Sequence, residues 1–204
     1  MNICIFASGQ GSNFKVIYSK TLNGYLRSSI KLLVSNNPTS GAVQFAKISG
    51  IDHLIYKSSE NEINISTSDL LDALDKNKID FIVLAGYMKH IDPVIINKFK
   101  YRIINIHPAL LPEFGGKGMY GANVHNAVLK SKANVSGITI HFVDEIYDNG
   151  PVILQKEIEI SPDENTESLQ RKISELEHLY YPEVLKLIEE GKIEVTNNKV
   201  FIKE

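Results

Sequence analysis

Apolar and polar positions along this chain fall into blocks whose period changes, and the changes predict its elements. Short apolar runs at residues 2–6, 30–34 and 81–85 are bounded by Gly, Ser, Asn or Asp and predict strands. Residues 81–85 are apolar at every position, which suits a central parallel strand covered on both faces. Further short strands are expected at 52–56 and 101–104. Helical spacing appears at 40–47, with Gly50 as its stop, and at Leu70, Leu71 and Leu74, with Ser66 or Ser68 as the cap. Pro93 fits the first position of a short helix, and another is expected at 122–130. Residues 136–143 and 152–160 alternate. In the second run Val152, Leu154, Ile158 and Ile160 face one way, and the short connection makes the pair antiparallel. Leu169, Ile173, Leu176 and Tyr180 mark a long helix after Asn165-Thr166. Pro182 is expected to kink it or to start a second one, which Gly191 ends. Residues 192–195 and 200–202 read as a hairpin turned by Asn197-Asn198. Strands alternating with helices define an α/β class with an open, mostly parallel sheet and an antiparallel strand near the C-terminal part. No repeat or linker interrupts it, so residues 1–204 are expected to form one domain.

Composition narrows the function without identifying it. The 204 residues are 43% hydrophobic and 23% charged with net charge −2, enough for one sizeable core and against a broad nucleic-acid footprint. A single cysteine, Cys4, excludes an internal disulfide and fits a reducing, cytoplasmic setting; it reads as a small core residue. No apolar run approaches a membrane span, and the opening MNICIFASG is too short for a signal peptide. Six histidines are scattered without a short ligand pair, so no metal site is expected.

Two stretches carry chemistry. Residues 7–13, ASGQGSN, place glycines and hydroxyls between a strand and a helix. Gly11, Ser12 and Asn13 suit a phosphate, with Ser12 or Asn13 able to cap the helix. Phe14 stands where a dinucleotide fingerprint needs its third glycine, and no acid ends the second strand, so NAD is not expected. A tight turn that binds nothing is the plain alternative. The second stretch opens with NIHPALLP at 105–112 and closes with YDNGPVI at 147–153. Pro108 stops the strand that delivers Asn105 and His107, whose side chains leave the same face. An amide and an imidazole aimed at one point suit a reaction that develops negative charge on oxygen. His107 also fits a packed strand-end histidine, and Asp148 a turn former. Asp144 and Glu145 fit a solvated loop. His125 and His141 read as supporting or structural, and His178 as covering a helix surface.

Several motifs in order, SGQGSN (8–13), LAGYM (84–88), NIHPALLP, SGITIHFV (136–143), YDNGPVILQ and EHLYYP (177–182), resemble the phosphoribosylglycinamide formyltransferases over almost the whole chain. The glycine-rich GGKGMYG loop (115–121) differs from some relatives and is taken as a subfamily feature. The resemblance implies a Rossmann-like, formyltransferase-type fold with helices on both faces of the sheet. It implies formyl transfer from 10-formyltetrahydrofolate, as co-substrate, to the amine of glycinamide ribonucleotide in purine synthesis, without metal or NAD. Asn105, His107 and Asp148 would be the catalytic set, with a protonated His107 whose pKa Asp148 raises. Gly11, Ser12 and Asn13 would hold the ribonucleotide phosphate, and Ser174 and Glu177 its ribose. Met88, Lys89, His90 and Ile91, with Asn105 and with Asp144, Glu145, Ile146, Tyr147 and Asp148, would wrap the folate. Lys89 and His90 replace an Arg and an aliphatic residue of relatives. Nothing basic lies between Glu60 and Asp75 to meet the folate glutamate, which leaves Lys57 or Lys89.

The same resemblance admits formyltetrahydrofolate deformylase, which adds an N-terminal regulatory domain, and methionyl-tRNA formyltransferase, which adds a C-terminal one. A chain starting at its first strand and ending soon after Gly191 is expected to be neither. A catalytically silent folate- or phosphate-binding protein is the reading from another class. Small-molecule partners, no nucleic acid, no membrane, and a monomer or homodimer complete the expectation.

Overall fold

The computed structural model describes residues 1–57 and 64–203; residues 57–67, polar in sequence and expected as a surface loop, fall mostly outside the described residues. The chain divides into two compact units, Met1–Ile104 and Asn105–Glu204. In the first, β1 (Asn2–Phe6), β2 (Ser29–Ser35), β3 (Asp52–Ile55) and β4 (Phe81–Leu84) alternate with α1 (Ser12–Leu22), α2 (Gly41–Ile48), α3 (Thr67–Lys76) and α4 (Pro93–Lys98). The strands run β3-β2-β1-β4, all pairs parallel, as helical crossovers require. β1 lies between β2 and β4, so the chain winds outward on one side of β1 and then returns to the other. The carboxyl ends of β1 and β4 therefore flank a topological switch point, where α/β sheets place ligands. Ile3, Cys4, Ile5 and Phe6 have no exposed surface, and all four residues of β4 are buried. Burying each such Ile or Phe contributes about 1.5–3 kcal/mol, so this strand pair is the centre of the unit's core.

The helix starts follow from local chemistry. Ser40 accepts from the Val43 N–H, Ser66 forms a capping box with Asp69, and Asp92 accepts from the Val94 N–H with Pro93 in the first turn. The first helix departs from expectation: neither Ser12 nor Asn13 caps it. Gly11 takes the N-cap position at φ 72, in the left-handed region, with no side-chain cap. Its backbone turns the chain straight into the helix, so Ser12 becomes the first helical residue.

The second unit holds β6 (Val135–Phe142), β7 (Val152–Glu159), α5 (Ala122–Lys130) and α6 (Thr166–Glu189), and β5 (Ile103–His107) runs into it from the first. The full sheet order is β3-β2-β1-β4-β5-β6-β7, mostly parallel, with β6 and β7 antiparallel. β5 starts later than the expected 101–104, because Tyr101 sits in a turn at φ 55, and it continues through His107. Asn105 and His107 are thus strand residues. Val152 is exposed and Ile153 buried, against the alternation expected there. The pairing steps from Ile140↔Leu154 to His141↔Val152, and the skipped Ile153 is a bulge that exchanges the faces. α6 is one helix across Pro182, with Tyr181, Pro182, Val184 and Leu185 buried on its inner side; no second helix starts there. β8 (Ile193–Thr196) and β9 (Lys199–Ile202) form the expected hairpin, with Asn197 and Asn198 both at positive φ, as a type I′ turn requires.

Candidate active site

In the second unit, Asn105, His107, His141 and Asp148 converge. β5 carries Asn105 and His107 two residues apart, β6 carries His141, and Asp148 lies in the turn between β6 and β7. Asp148 is at φ 54, a conformation Asp tolerates better than most residues. Gly150 lets that turn fold back on β6, since a Cβ there would lie 1.9 Å from the Phe142 carbonyl oxygen. The Asp148 carboxylate is the hub. Oδ2 accepts from the Gly116 N–H at 2.8 Å and lies 3.6 Å from His107 Nδ1. Oδ1 lies 3.5 Å from Asn105 Nδ2 and 3.8 Å from His141 Nε2. Both imidazoles are almost fully buried.

Hydrogen-bond partners assign the tautomers. His107 Nε2 lies 2.9 Å from the Phe114 carbonyl, which only accepts, so Nε2 carries the proton. His141 Nδ1 lies 2.8 Å from the Phe142 carbonyl and carries its proton for the same reason. His141 Nε2 is then an acceptor, and Asn105 Nδ2 donates to it at 3.2 Å. Charge follows burial. Burial lowers the His107 pKa below the ordinary imidazole value, with the Asp148 carboxylate and the Phe114 carbonyl pulling the other way. Asp148 pulls this pKa upward, as expected, but loss of solvent outweighs that pull and the net shift is downward. His141 is lowered by burial as well, and so is His125, which the charge of His107 also disfavours. His125 is buried with an unpartnered Nδ1.

The segment after His107 is pinned from β6 and β7. Thr139 Oγ1 donates to the Ala109 carbonyl at 2.7 Å and accepts from the Leu111 N–H at 3.0 Å. Gln155 Nε2 reaches the Leu111 carbonyl at 2.8 Å and Thr139 Oγ1 at 3.0 Å. Asp144 serves its own turn, accepting from the Ile146 N–H and from Asn149 Nδ2, both at 2.9 Å. Ile146 and Tyr147 are exposed. On α6, Ser174 Oγ lies 3.4 Å from His178 Nε2, and Glu177 is half-buried one turn further along.

In the first unit, Gly9, Gly11, Ser12 and Asn13 follow β1. The Gly9 carbonyl accepts from the Ala42 N–H at 3.1 Å, and a Cβ on Gly11 would lie 3.0 Å from Ala42 Cβ. Gly11 thus has neither the backbone conformation nor the space for a side chain. Met88 and Lys89 are exposed and Ile91 is buried. Lys57, a candidate for the folate glutamate, donates to the His90 carbonyl at 2.9 Å.

Sequence reasoning undervalued His141, although its place on the Thr139 face of a strand beside Asp148 was the available signal. Nothing in the pattern announced the Phe114 carbonyl or the Gly116 N–H, which are backbone groups. Among the described residues, no group of three or more His, Cys, Asp or Glu is placed to hold a metal, and no helix is long and apolar enough to cross a membrane.

Residues 1–185 match the family model described as formyl transferase. A chloroplastic phosphoribosylglycinamide formyltransferase of Arabidopsis thaliana is 42% identical over 193 residues, covering 94% of this chain and 66% of its own length. Its counterpart from Bacillus subtilis (strain 168) is 36% identical over 184 residues, covering 89% of this chain and 91% of its own. The chain spans slightly less than two thirds of the plant relatives' length, 66% and 62%. Glycinamide ribonucleotide transformylase 1 from Symbiobacterium toebii has a fold matching at TM-score 0.89 and 29% identity, covering all of this chain and 94% of that one.

Proposed function

The chain belongs to the formyl transferase family, and from that premise we propose that it transfers the formyl group of 10-formyltetrahydrofolate to the amine of glycinamide ribonucleotide in de novo purine synthesis. The observation that supports this reading most is the convergence of Asp148 on Asn105 and His107. In this reading residues 1–204 act as one formyltransferase domain, in the cytoplasm, as a monomer or homodimer, on small-molecule substrates.

The amine nitrogen attacks the formyl carbon, and the carbonyl electron pair moves onto oxygen. The His107 Nε2–H donates to that oxyanion, and the Asn105 N–H now 3.5 Å from Asp148 turns from the carboxylate to the same oxygen, donations that a buried site rewards more than water does. The Phe114 carbonyl now holding Nε2 gives way to the oxyanion. A neutral His107 suffices for this donation, so a charged resting imidazole is not needed. As the amine adds, its proton passes through a water to Asp148 and on to His107 Nδ1, 3.6 Å from the carboxylate, so that His107 becomes an imidazolium beside an Asp148 that is negative again. The oxyanion then collapses, the bond to the folate nitrogen breaks, and that nitrogen takes the Nε2 proton of the imidazolium, which returns His107 to its neutral form.

Gly11, Ser12 and Asn13 bind the phosphate through N–H groups of the first turn of α1 and the Ser12 hydroxyl. Ser174 and Glu177 meet the ribose hydroxyls. Met88, Lys89, His90 and Ile91, with Asn105 and with Asp144, Glu145, Ile146, Tyr147 and Asp148, bind the folate, largely through backbone groups. The test is an absorbance assay of folate deformylation with purified protein. Turnover that requires the ribonucleotide supports transfer, whereas turnover without it identifies a hydrolase.

A further inference from the structure

Ser8 lies two residues beyond β1 at the switch point, and its three polar contacts join segments to which the proposed function gives different substrates. Its N–H donates to the Gly86 carbonyl at 3.1 Å. Its hydroxyl accepts from the Met88 N–H at 2.8 Å and donates to Asn36 Oδ1 at the end of β2. Ser8 is 5% exposed, so water does not compete for these bonds. Gly9 follows it directly and opens the loop that turns into α1 at Gly11. Met88 opens the run through Ile91. A single hydroxyl therefore ties the start of one substrate loop to the start of the other. Ser8 itself precedes Gly11, Ser12 and Asn13, the residues given to the phosphate, and its hydroxyl is spent on protein groups.

We infer that Ser8 is a positioning residue shared by the two substrate loops, so that it sets the affinity for the folate and for the ribonucleotide together. The bond to Asn36 fixes the hydroxyl rotamer that leaves an oxygen lone pair facing the Met88 N–H. Lys57 provides the contrast. Its ammonium holds the His90 carbonyl at 2.9 Å, two residues beyond Met88 and on the folate side alone. Loss of Lys57 loosens one loop, whereas loss of the Ser8 hydroxyl loosens both. This inference rests on the proposed function, which supplies the two substrates.

The test is steady-state kinetics with 10-formyltetrahydrofolate and glycinamide ribonucleotide for wild type, Ser8→Ala, Asn36→Ala and Lys57→Met, with melting temperatures recorded alongside. Ser8→Ala is expected to raise both KM values about fivefold to tenfold, the scale of one buried hydrogen bond, with a smaller effect on kcat. Asn36→Ala moves both in the same direction by less, and Lys57→Met raises the folate KM alone. If Ser8→Ala does not fold, the contrast between Asn36→Ala and Lys57→Met decides. Ser8→Ala and Asn36→Ala moving only one KM, or neither, while wild type turns over normally, overturns the role of Ser8 and leaves the proposed function standing. Wild type without ribonucleotide-dependent turnover overturns the proposed function itself.

Discussion

Asn105 Nδ2 lies 3.2 Å from His141 Nε2, and the other ring nitrogen of His141 is committed to the Phe142 carbonyl. His141 therefore presents a lone pair, which dictates which end of the Asn105 amide faces it. The carboxamide oxygen is turned away, and the second N–H points toward Asp148 at 3.5 Å. An amide held by an imidazole on one side and a carboxylate on the other is preset as a donor.

His141→Phe keeps the volume approximately and removes that acceptor. We expect kcat to fall on the order of 10²-fold, the scale of misplacing a reacting group by about an ångström, with KM values changed much less. Steady-state kinetics checks this. A variant with wild-type kcat contradicts an orienting role for His141.

Asp148→Asn keeps an acceptor for the Gly116 N–H but removes the negative charge beside His107. The expected loss in kcat is about 10²–10⁴-fold, the range of a lost general acid or base. The melting temperature should change little, which separates a chemical defect from a folding one.

Acid should destabilise the protein early. Burial lowers the pKa of His107, His125 and His141 in the folded chain below about 6.5, their value when unfolded. Above that pH all three are neutral in both states, and their contribution is constant. As pH falls below it, the unfolded chain takes up protons first, so stability is lost down through the lowered folded-state values. Denaturant melts from pH 7.5 to 5 should show stability falling below about pH 6.5, with a shallower fall in His141→Phe. A flat profile across this range contradicts the burial argument.

Gly11→Ala places a Cβ at φ 72 and 3.0 Å from Ala42 Cβ. The expected cost is about 1 kcal/mol or more in stability, with a raised ribonucleotide KM. Urea denaturation and kinetics check both. An unchanged KM with lowered stability would separate the loop from phosphate binding.

Much of this was legible because the sequence and the fold obey the same periodicities. The apolar run at 81–85 is a fully buried strand, and Ser40, Ser66 and Asp92 start helices where their side chains can reach free N–H groups. Other features required tertiary structure. The bulge at Ile153 exchanges Val152 with its neighbour, and no two-residue alternation encodes where a strand slips. Gly11 displaced Ser12 as cap because a left-handed backbone is a conformation, not a composition. Asn105, His107 and Asp148 were readable as side chains capable of acid–base work. The His107 pKa was not, because it balances a carboxylate against burial, and only coordinates show that burial is the larger.

In the proposed function Asn105, His107 and Asp148 move a formyl group onto an amine. The most direct measurement follows isotope-labelled 10-formyltetrahydrofolate in the presence of glycinamide ribonucleotide, with wild type and Asp148→Asn side by side. Label is expected on the ribonucleotide amine with wild type, and almost none with the variant in the same time. Label released as free formate, or a variant that transfers at the wild-type rate, would contradict that function.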